Sequence, residues 1–472
     1  MVKKIVISLL FVSFNLIVQG QSLSLKKGTI LENLKISDSI SESFTLYLPT
    51  SFEVTKKWPV VFVFDSNGKG KQAVQMFMPA AEKNGYILAA PNNLNDSLKI
   101  EENVLVTSRM MNRVLSILPI EGRQIYTAGF SDSAKFASLL PVFITTIEGV
   151  LSINGSLANT DILNSKKMFH YIGVIDVNDY KLKEMQSDEK VLNALRYPNQ
   201  LFVYDQMDKP TVYDYINTSL EIFTISAMAK NSIPLDSSFI NEKYQDKVRL
   251  IQGLINQNRL LSAYDLTLEL MEVYRGVCDI SDLKNMQKSI RKNRIYKNMK
   301  QTEAAVAFNE LLKREDYDYA MYEDIASYNF NNLGWWKYQM EELERQNSKD
   351  SMFKLQMNNR LKGFINFLVD KNTLQLQAEK ETDEEGLVLL GMLKTITNPK
   401  DFEGYKRVIS LSSKNEDYST ALFYLEELLK VGFTDTKALY EIEHTGLLRI
   451  APEFNEIVEK YLKDARYTID EQ

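Results

Sequence analysis

The sequence predicts an α/β fold, a mostly parallel sheet covered by helices on both faces, followed by an all-α, helical-repeat-like region. Three observations carry this. Apolar, β-branched runs alternate with helix-spaced runs through the first half of the chain. Those runs stop after about residue 235. From there to the C-terminus, helix-spaced segments follow one another directly.

The elements can be justified in order. Residues 43–48 (SFTLYL) alternate with period two, as a half-buried strand does. Residues 58–64 (WPVVFVF) form a continuous apolar run, as buried parallel strands do. Residues 72–83 have helical spacing, and 85–90 (GYILAA) read as another buried strand. A helix over 104–118, a strand over 124–128 and a helix over 132–140 come next. Strands follow at 148–153 (EGVLSI), 170–175 (HYIGVI) and 200–204 (QLFVY), and a helix over 212–230 closes the region. Right-handed crossovers put the loops after these strands on one edge of the sheet, where open α/β sheets bind ligands.

Beyond residue 235 the spacing predicts helices over 243–256, 260–274, 280–299, 303–315, 317–330, 351–369, 385–396, 400–413, 416–431 and 435–444. In the segment 415–433 (NEDYSTALFYLEELLKVGF), Ala421, Leu425 and Leu428 share one face and Gly432 ends the helix. Tyr405, Val408 and Ile409 would line the preceding helix, a tetratricopeptide-like hairpin.

A chain of 472 residues is expected to divide. The divisions are a signal peptide over 1–20, an α/β domain over 21–235 and an all-α domain over 236–472. The first residues (MVKKIVISLLFVSFNLIVQGQS) place Lys3 and Lys4 before an apolar run too short and interrupted to span a membrane, with small residues near Gly20. An exported, periplasmic or secreted protein is expected, with no membrane span after cleavage. Cys278 is the single cysteine, so no intrachain disulfide forms, and large cores must replace staples. Net charge is −6 and no basic stripe with interleaved aromatics occurs, so nucleic acid is not an expected partner.

The strongest local signal is Ile125-Tyr-Thr-Ala-Gly129-Phe130-Ser131-Asp132-Ser133-Ala134. A serine stands on a sharp turn between a buried strand and a helix, the context of a nucleophile elbow. The helix N-terminus beneath it favours developing negative charge. With this motif, residues 43–235 resemble the polyhydroxybutyrate-depolymerase-like and esterase-like α/β-hydrolases of exported bacterial proteins. The matching pieces are WPVVFVFD (58–65), NGYILAAPNN (84–93), IYTAGFSDSAKFAS (125–138), FHYIGVIDVNDY (169–180) and QLFVYDQMDKP (200–210). The resemblance implies an α/β-hydrolase-type sheet with Ser131 as nucleophile. It implies Asp179 as the catalytic acid, with Asp176 as the alternative. It also implies a histidine in the turn 205–210. Counting back from Pro210, that position holds Met207.

This departure decides how the site is read. The chain has two histidines. His170 begins its strand, and six residues at about 3.3 Å each put it roughly 20 Å from the catalytic edge. His444 belongs to the far helical region. Without a base the serine hydroxyl stays protonated and is a poor nucleophile. The residue after the nucleophile is Asp132, whose carboxylate at about 5 Å from the developing oxyanion would cost about 3 kcal/mol at an effective dielectric of about 20. Asp65 and Ser66, after the strand 58–64, would complete the oxyanion side and pocket wall. The glycines of 64–70 lack the spacing of a phosphate loop, and no cofactor is expected.

Asp65, Asp132, Asp176, Asp179, Asp205 and Asp208 would crowd one edge and suit a hard cation. Asp also favours turns and helix starts, and no metal is assigned. Two functional readings follow. The first is an impaired or inactive hydrolase-like protein that binds a small ester-like ligand in its pocket, or a protein or peptide through its helical region. The second is an active esterase-type serine hydrolase with an unusual base, among Asp205, Asp208, Lys209 and His444.

Overall fold

The computed structural model describes residues 25–95, 97–163, 167–206, 210–345 and 351–467. The predicted signal peptide and the position Met207, with Asp208 and Lys209, lie outside the described residues.

The first part of the chain runs β1 (Ile30–Lys35), β2 (Ser43–Tyr47), β3 (Trp58–Phe64), α1 (Gly70–Asn84), β4 (Ile87–Pro91), α2 (Ile100–Ile117) and β5 (Ile120–Phe130). It continues α3 (Asp132–Phe143), β6 (Gly149–Ile153), β7 (His170–Asp176), α4 (Leu182–Ala194), β8 (Asn199–Tyr204) and α5 (Val212–Ala229). The strands form one sheet in the order β1-β2-β4-β3-β5-β6-β7-β8. β1 and β2 are antiparallel to their neighbours, and the pairs from β4/β3 to β7/β8 are parallel. This is the mostly parallel, α/β-hydrolase-type sheet that the resemblance implied.

Each buried run sits where its composition places it. Val60, Val61, Phe62 and Phe64 of β3 and Ile87, Leu88, Ala89 and Ala90 of β4 are buried on both faces, as strands between two helical layers must be. One apolar cluster lies on each side of the sheet. Chain order reverses at β3: the next strand, β4, lies to one side of it and β5 to the other. The loops after β3 and β5 therefore diverge and open a crevice at their carboxyl ends. Ser131 follows β5 directly.

The remainder is helical: α6 (Ser237–Asn256), α7 (Leu260–Tyr274), α8 (Ser281–Lys292), α9 (Arg294–Ser327), α10 (Leu333–Glu344), α11 (Met352–Ala378), α12 (Glu384–Thr397), α13 (Phe402–Lys414), α14 (Tyr418–Lys430), α15 (Thr436–Tyr440) and α16 (Pro452–Leu462). Residues of α6, α7 and α8 join the same apolar cluster as one face of the sheet, so the core runs continuously from strands into helices. α13 and α14 pack together, burying Tyr405, Val408, Ile409, Ala421, Leu425 and Leu428.

Several elements differ from expectation in extent, α9 most of all. The segments predicted over 303–315 and 317–330, with the end of 280–299, form the single helix α9. Its sequence holds neither glycine nor proline, so nothing stops it until Tyr328 takes a left-handed conformation. β1, α4, α10 and α16 were not anticipated. β1 is an edge strand with a mixed, half-exposed pattern, and α4 has a polar sequence (LKEMQSDEKVLNA).

Candidate active site

The turn after β5 has the geometry of a nucleophile elbow. Ser131 has φ 55 and ψ −119, a conformation a side chain adopts only under constraint. Two close approaches supply that constraint. A Cβ on Gly129 would collide with the Ser133 carbonyl, and one on Gly155 would meet the Ser131 carbonyl and the Ala134 Cβ. Only glycine lets α3 pack this tightly against β5 and the loop after β6. The Ser131 N–H donates to the Ile153 carbonyl at 2.8 Å, and the Ser131 carbonyl accepts from Ala134 N–H at 3.1 Å.

A cavity of about 340 Å³ lies beside the serine, lined by Phe64, Asp65, Ser66, Phe130, Ser131, Asp132 and Ser133 with Met76 and Phe77 of α1. The structure thus brings Ser131, Asp132, Asp65 and Ser66 to one pocket. The loop side of this pocket is already engaged. The Ser66 N–H, which follows β3 where an oxyanion donor is expected, donates to the buried Ser133 hydroxyl at 2.8 Å. Asp65 turns back on its own loop and accepts from the Asn67 and Lys69 N–H groups at 3.0 and 3.2 Å.

The side chain at the serine hydroxyl is one that the sequence reading passed over. Lys181, the N-cap residue of α4, donates from Nζ to Ser131 Oγ at 3.2 Å. The same ammonium meets Asp132 Oδ1 at 3.4 Å. Lys181 is buried while the Asp132 carboxylate is largely exposed, 7% against 75% accessible. Asp132 is therefore drawn toward a cation and remains mostly in water. The sequence did hold a signal for Lys181: it stands two residues after Asp179, on the loop assigned to the acid.

Asp179 sits half-buried on that loop and accepts the Lys181 backbone N–H at 2.8 Å. Burial pushes its carboxyl above the usual value, and the Lys181 N–H and charge pull it partly back. Asp176 is buried at the end of β7 and accepts from both nitrogens of Asn178. Asp205 follows β8 and lines a second cavity of about 280 Å³ between the sheet edge and helices α7, α9 and α11. Asp176 and Asp179 share the turn after β7, where the Asp179 N–H donates to the Asp176 carbonyl at 3.0 Å, while Asp65 and Asp132 face the cavity at Ser131. Among the described residues, no group of three or more His, Cys, Asp or Glu side chains is placed to hold a metal ion.

Neither histidine is near this chemistry. His170 opens β7, paired with Gly149, and its Nε2 lies 2.5 Å from Gln200 Oε1. Burial holds its imidazole down at about 4, so it stays neutral. His444 is exposed beyond α15. Among the described residues, no helix is long and apolar enough to cross a membrane.

No family model matches the chain, and no curated protein sequence matches it. Solved structures do. One is esterase 2 of Thermogutta terrifontis phosphonylated by sarin, at 10% identity and a TM-score of 0.35, covering 45% of this chain and 99% of that one. A second is an acetyl ester-xyloside bifunctional hydrolase from Caldicellulosiruptor lactoaceticus, at 12% identity and a TM-score of 0.36, covering 43% of this chain and 98% of that one. A third is a putative dipeptidyl aminopeptidase IV from Bacteroides ovatus, at 15% identity and a TM-score of 0.34, covering 42% of this chain and 34% of that one.

Proposed function

We propose that this chain is an exported α/β-hydrolase-fold protein that has lost efficient turnover and acts by binding. The observation that carries this reading is the Lys181 ammonium on Ser131 Oγ, shared with Asp132. A serine nucleophile must hand its proton to a base. Here the hydroxyl oxygen accepts a hydrogen bond from a cation that is paired with a carboxylate. The engaged Ser66 N–H works in the same direction, since it removes a donor from the side where an oxyanion would form.

The cavity at Ser131, about 340 Å³, is of the size that holds a small ester-like molecule. A protein or peptide partner is the other half of the proposal. Phe308, Tyr319 and Tyr322 of α9 and Tyr338 of α10 are exposed. Exposed aromatics of this kind are enriched where proteins dock.

One observation favours the alternative. An amine 3.2 Å from a serine hydroxyl is within reach to act as the base of a serine hydrolase, once it has lost its proton. The experiment is hydrolysis of p-nitrophenyl acetate, with fluorophosphonate labelling, by wild type and by the Ser131→Ala, Lys181→Met and Met207→His variants. The binding reading expects no labelling of the wild type and some gained by Met207→His. Robust wild-type labelling abolished by both Ser131→Ala and Lys181→Met would replace it with the hydrolase reading.

A further inference from the structure

Lys181 does not reach Ser131 through the sheet alone. The loop that carries it, residues 177–181 between β7 and α4, is held by two helices of the C-terminal half. Arg360 of α11 donates from Nη1 to the Val177 carbonyl at 2.7 Å. Arg314 of α9 donates from Nη2 to the Tyr180 carbonyl at 2.8 Å. Glu310 of α9, fully buried, orients both: it accepts from Arg360 Nε and Nη2 at 3.0 and 2.6 Å and from Arg314 at 3.0 Å. Asn359 donates to the Asn178 side chain at 3.1 Å, and the Tyr180 ring stacks on Phe367 at 5.0 Å.

The charges explain why the loop is needed in this cluster. Two guanidiniums hydrogen-bond one carboxylate, so donors are left over for the loop's backbone dipoles. The Val177 and Tyr180 carbonyls accept from them. Hydrogen bonds to charged groups are the strong ones, and a buried donor left without a partner is costly. Breaking the grip would therefore disturb both sides: the guanidiniums would lose acceptors, and the loop would lose the two carbonyl anchors that flank Asn178 and Asp179.

We infer that the Glu310–Arg360–Arg314 cluster is the positioning element that aims Lys181 at Ser131. The helical half thereby sets the state of the serine. This rests on the Ser131–Lys181 pairing used above, and the test separates the two.

Full-length wild type is compared with Arg360→Met, Arg314→Met and Arg314→Lys. Hydrogen–deuterium exchange reads the 177–182 backbone. Reductive methylation with formaldehyde and cyanoborohydride, resolved by mass spectrometry, reads each lysine, with exposed Lys190 as the internal reference. In wild type, Lys181 reacts far more slowly than Lys190. In Arg360→Met, loop exchange and Lys181 methylation both rise about tenfold or more, the scale of losing a charge-assisted hydrogen bond. Arg314→Met shows the same direction with a smaller rise and serves where Arg360→Met does not fold, and Arg314→Lys returns part of the protection. Faster loop exchange with unchanged Lys181 methylation would overturn the inference, because Ser131 and Asp132 alone would then hold the lysine. Unchanged exchange would overturn the grip itself. A wild-type Lys181 as reactive as Lys190 would overturn the pairing with Ser131, and with it the inference.

Discussion

Glu310→Ala is expected to be among the most damaging single substitutions in the helical half. The Glu310 side chain is inaccessible, and its partners Arg360 and Arg314 are 7% and 12% accessible. Removing the carboxylate leaves two largely buried guanidiniums without the ion-pair partner they share. Breaking a buried ion pair from one side costs about 3–5 kcal/mol. Glu310→Gln keeps the shape and one acceptor but loses the charge, and should cost about 1.5–3 kcal/mol. The double variant Glu310→Met with Arg360→Met removes the pair from both sides. It leaves one guanidinium without its carboxylate, that of Arg314, in place of two, together with a Val177 carbonyl that has lost its donor, and should therefore cost less than Glu310→Ala. Urea unfolding reads this through tryptophan fluorescence, with Trp336 buried in the helical half and Trp58 in the sheet. The predicted order of stability is wild type, double variant, Glu310→Ala. A Glu310→Ala protein within about 1 kcal/mol of wild type would refute the reasoning. So would a double variant as unstable as the single, since the cost would then lie in lost packing rather than in uncompensated charge.

Other outcomes can be checked separately. His170 is held neutral by burial, its value falling from 6.5 to about 4. The unfolded chain takes up that proton as pH falls through this window and the folded chain does not, so this stability is full above the unfolded value and declines by about 3 kcal/mol toward pH 4. A His170→Phe protein should lose that part of the pH slope, whatever its absolute stability, in urea titrations between pH 7 and 4. Gly155→Ala would drive a Cβ into the Ser131 carbonyl and the Ala134 side chain, and should cost about 1–3 kcal/mol in the same assay. Ser133→Ala strands the Ser66 N–H, so that single amide should exchange about tenfold faster while the β3 amides keep their protection.

Much of the sheet was legible because its strands are written in apolar, β-branched runs with helix-spaced segments between them. β3 matches the predicted limits residue for residue, and β7 and β8 differ by one residue at one end. β1 was not legible, since an edge strand with one wet face carries little hydrophobic signal. α9 was misjudged for a related reason: long two-sided helices show no single apolar stripe, and pauses in the pattern look like breaks. The elbow was legible because Gly129, Ser131 and the flanking strand and helix are contiguous. Lys181 was not, because its meeting with Ser131 spans 50 positions of chain and depends on how β7 lies beside β6 and β5. The grip of Arg360 on Val177 spans 183 positions and joins two halves that the sequence presents as unrelated.

The strained backbone of Ser131 and the chemistry of Ser131 are separate matters. Positive φ at a serine costs about 1–3 kcal/mol, and such strain is often taken as a mark of function. In this chain, packing alone accounts for it. Gly129 and Gly155 let α3 press against the sheet, and Ser131 N–H is tied to Ile153. Any residue at that corner would be forced into the same turn whether or not a reaction depended on it. The hydroxyl's surroundings are a different observation, because packing does not dictate which polar group arrives there. A buried ammonium arrives, carried on a loop that the helical half grips through two of its carbonyls. The elbow therefore testifies to the fold, and the group that meets the hydroxyl, Lys181, is the observation that bears on its chemistry.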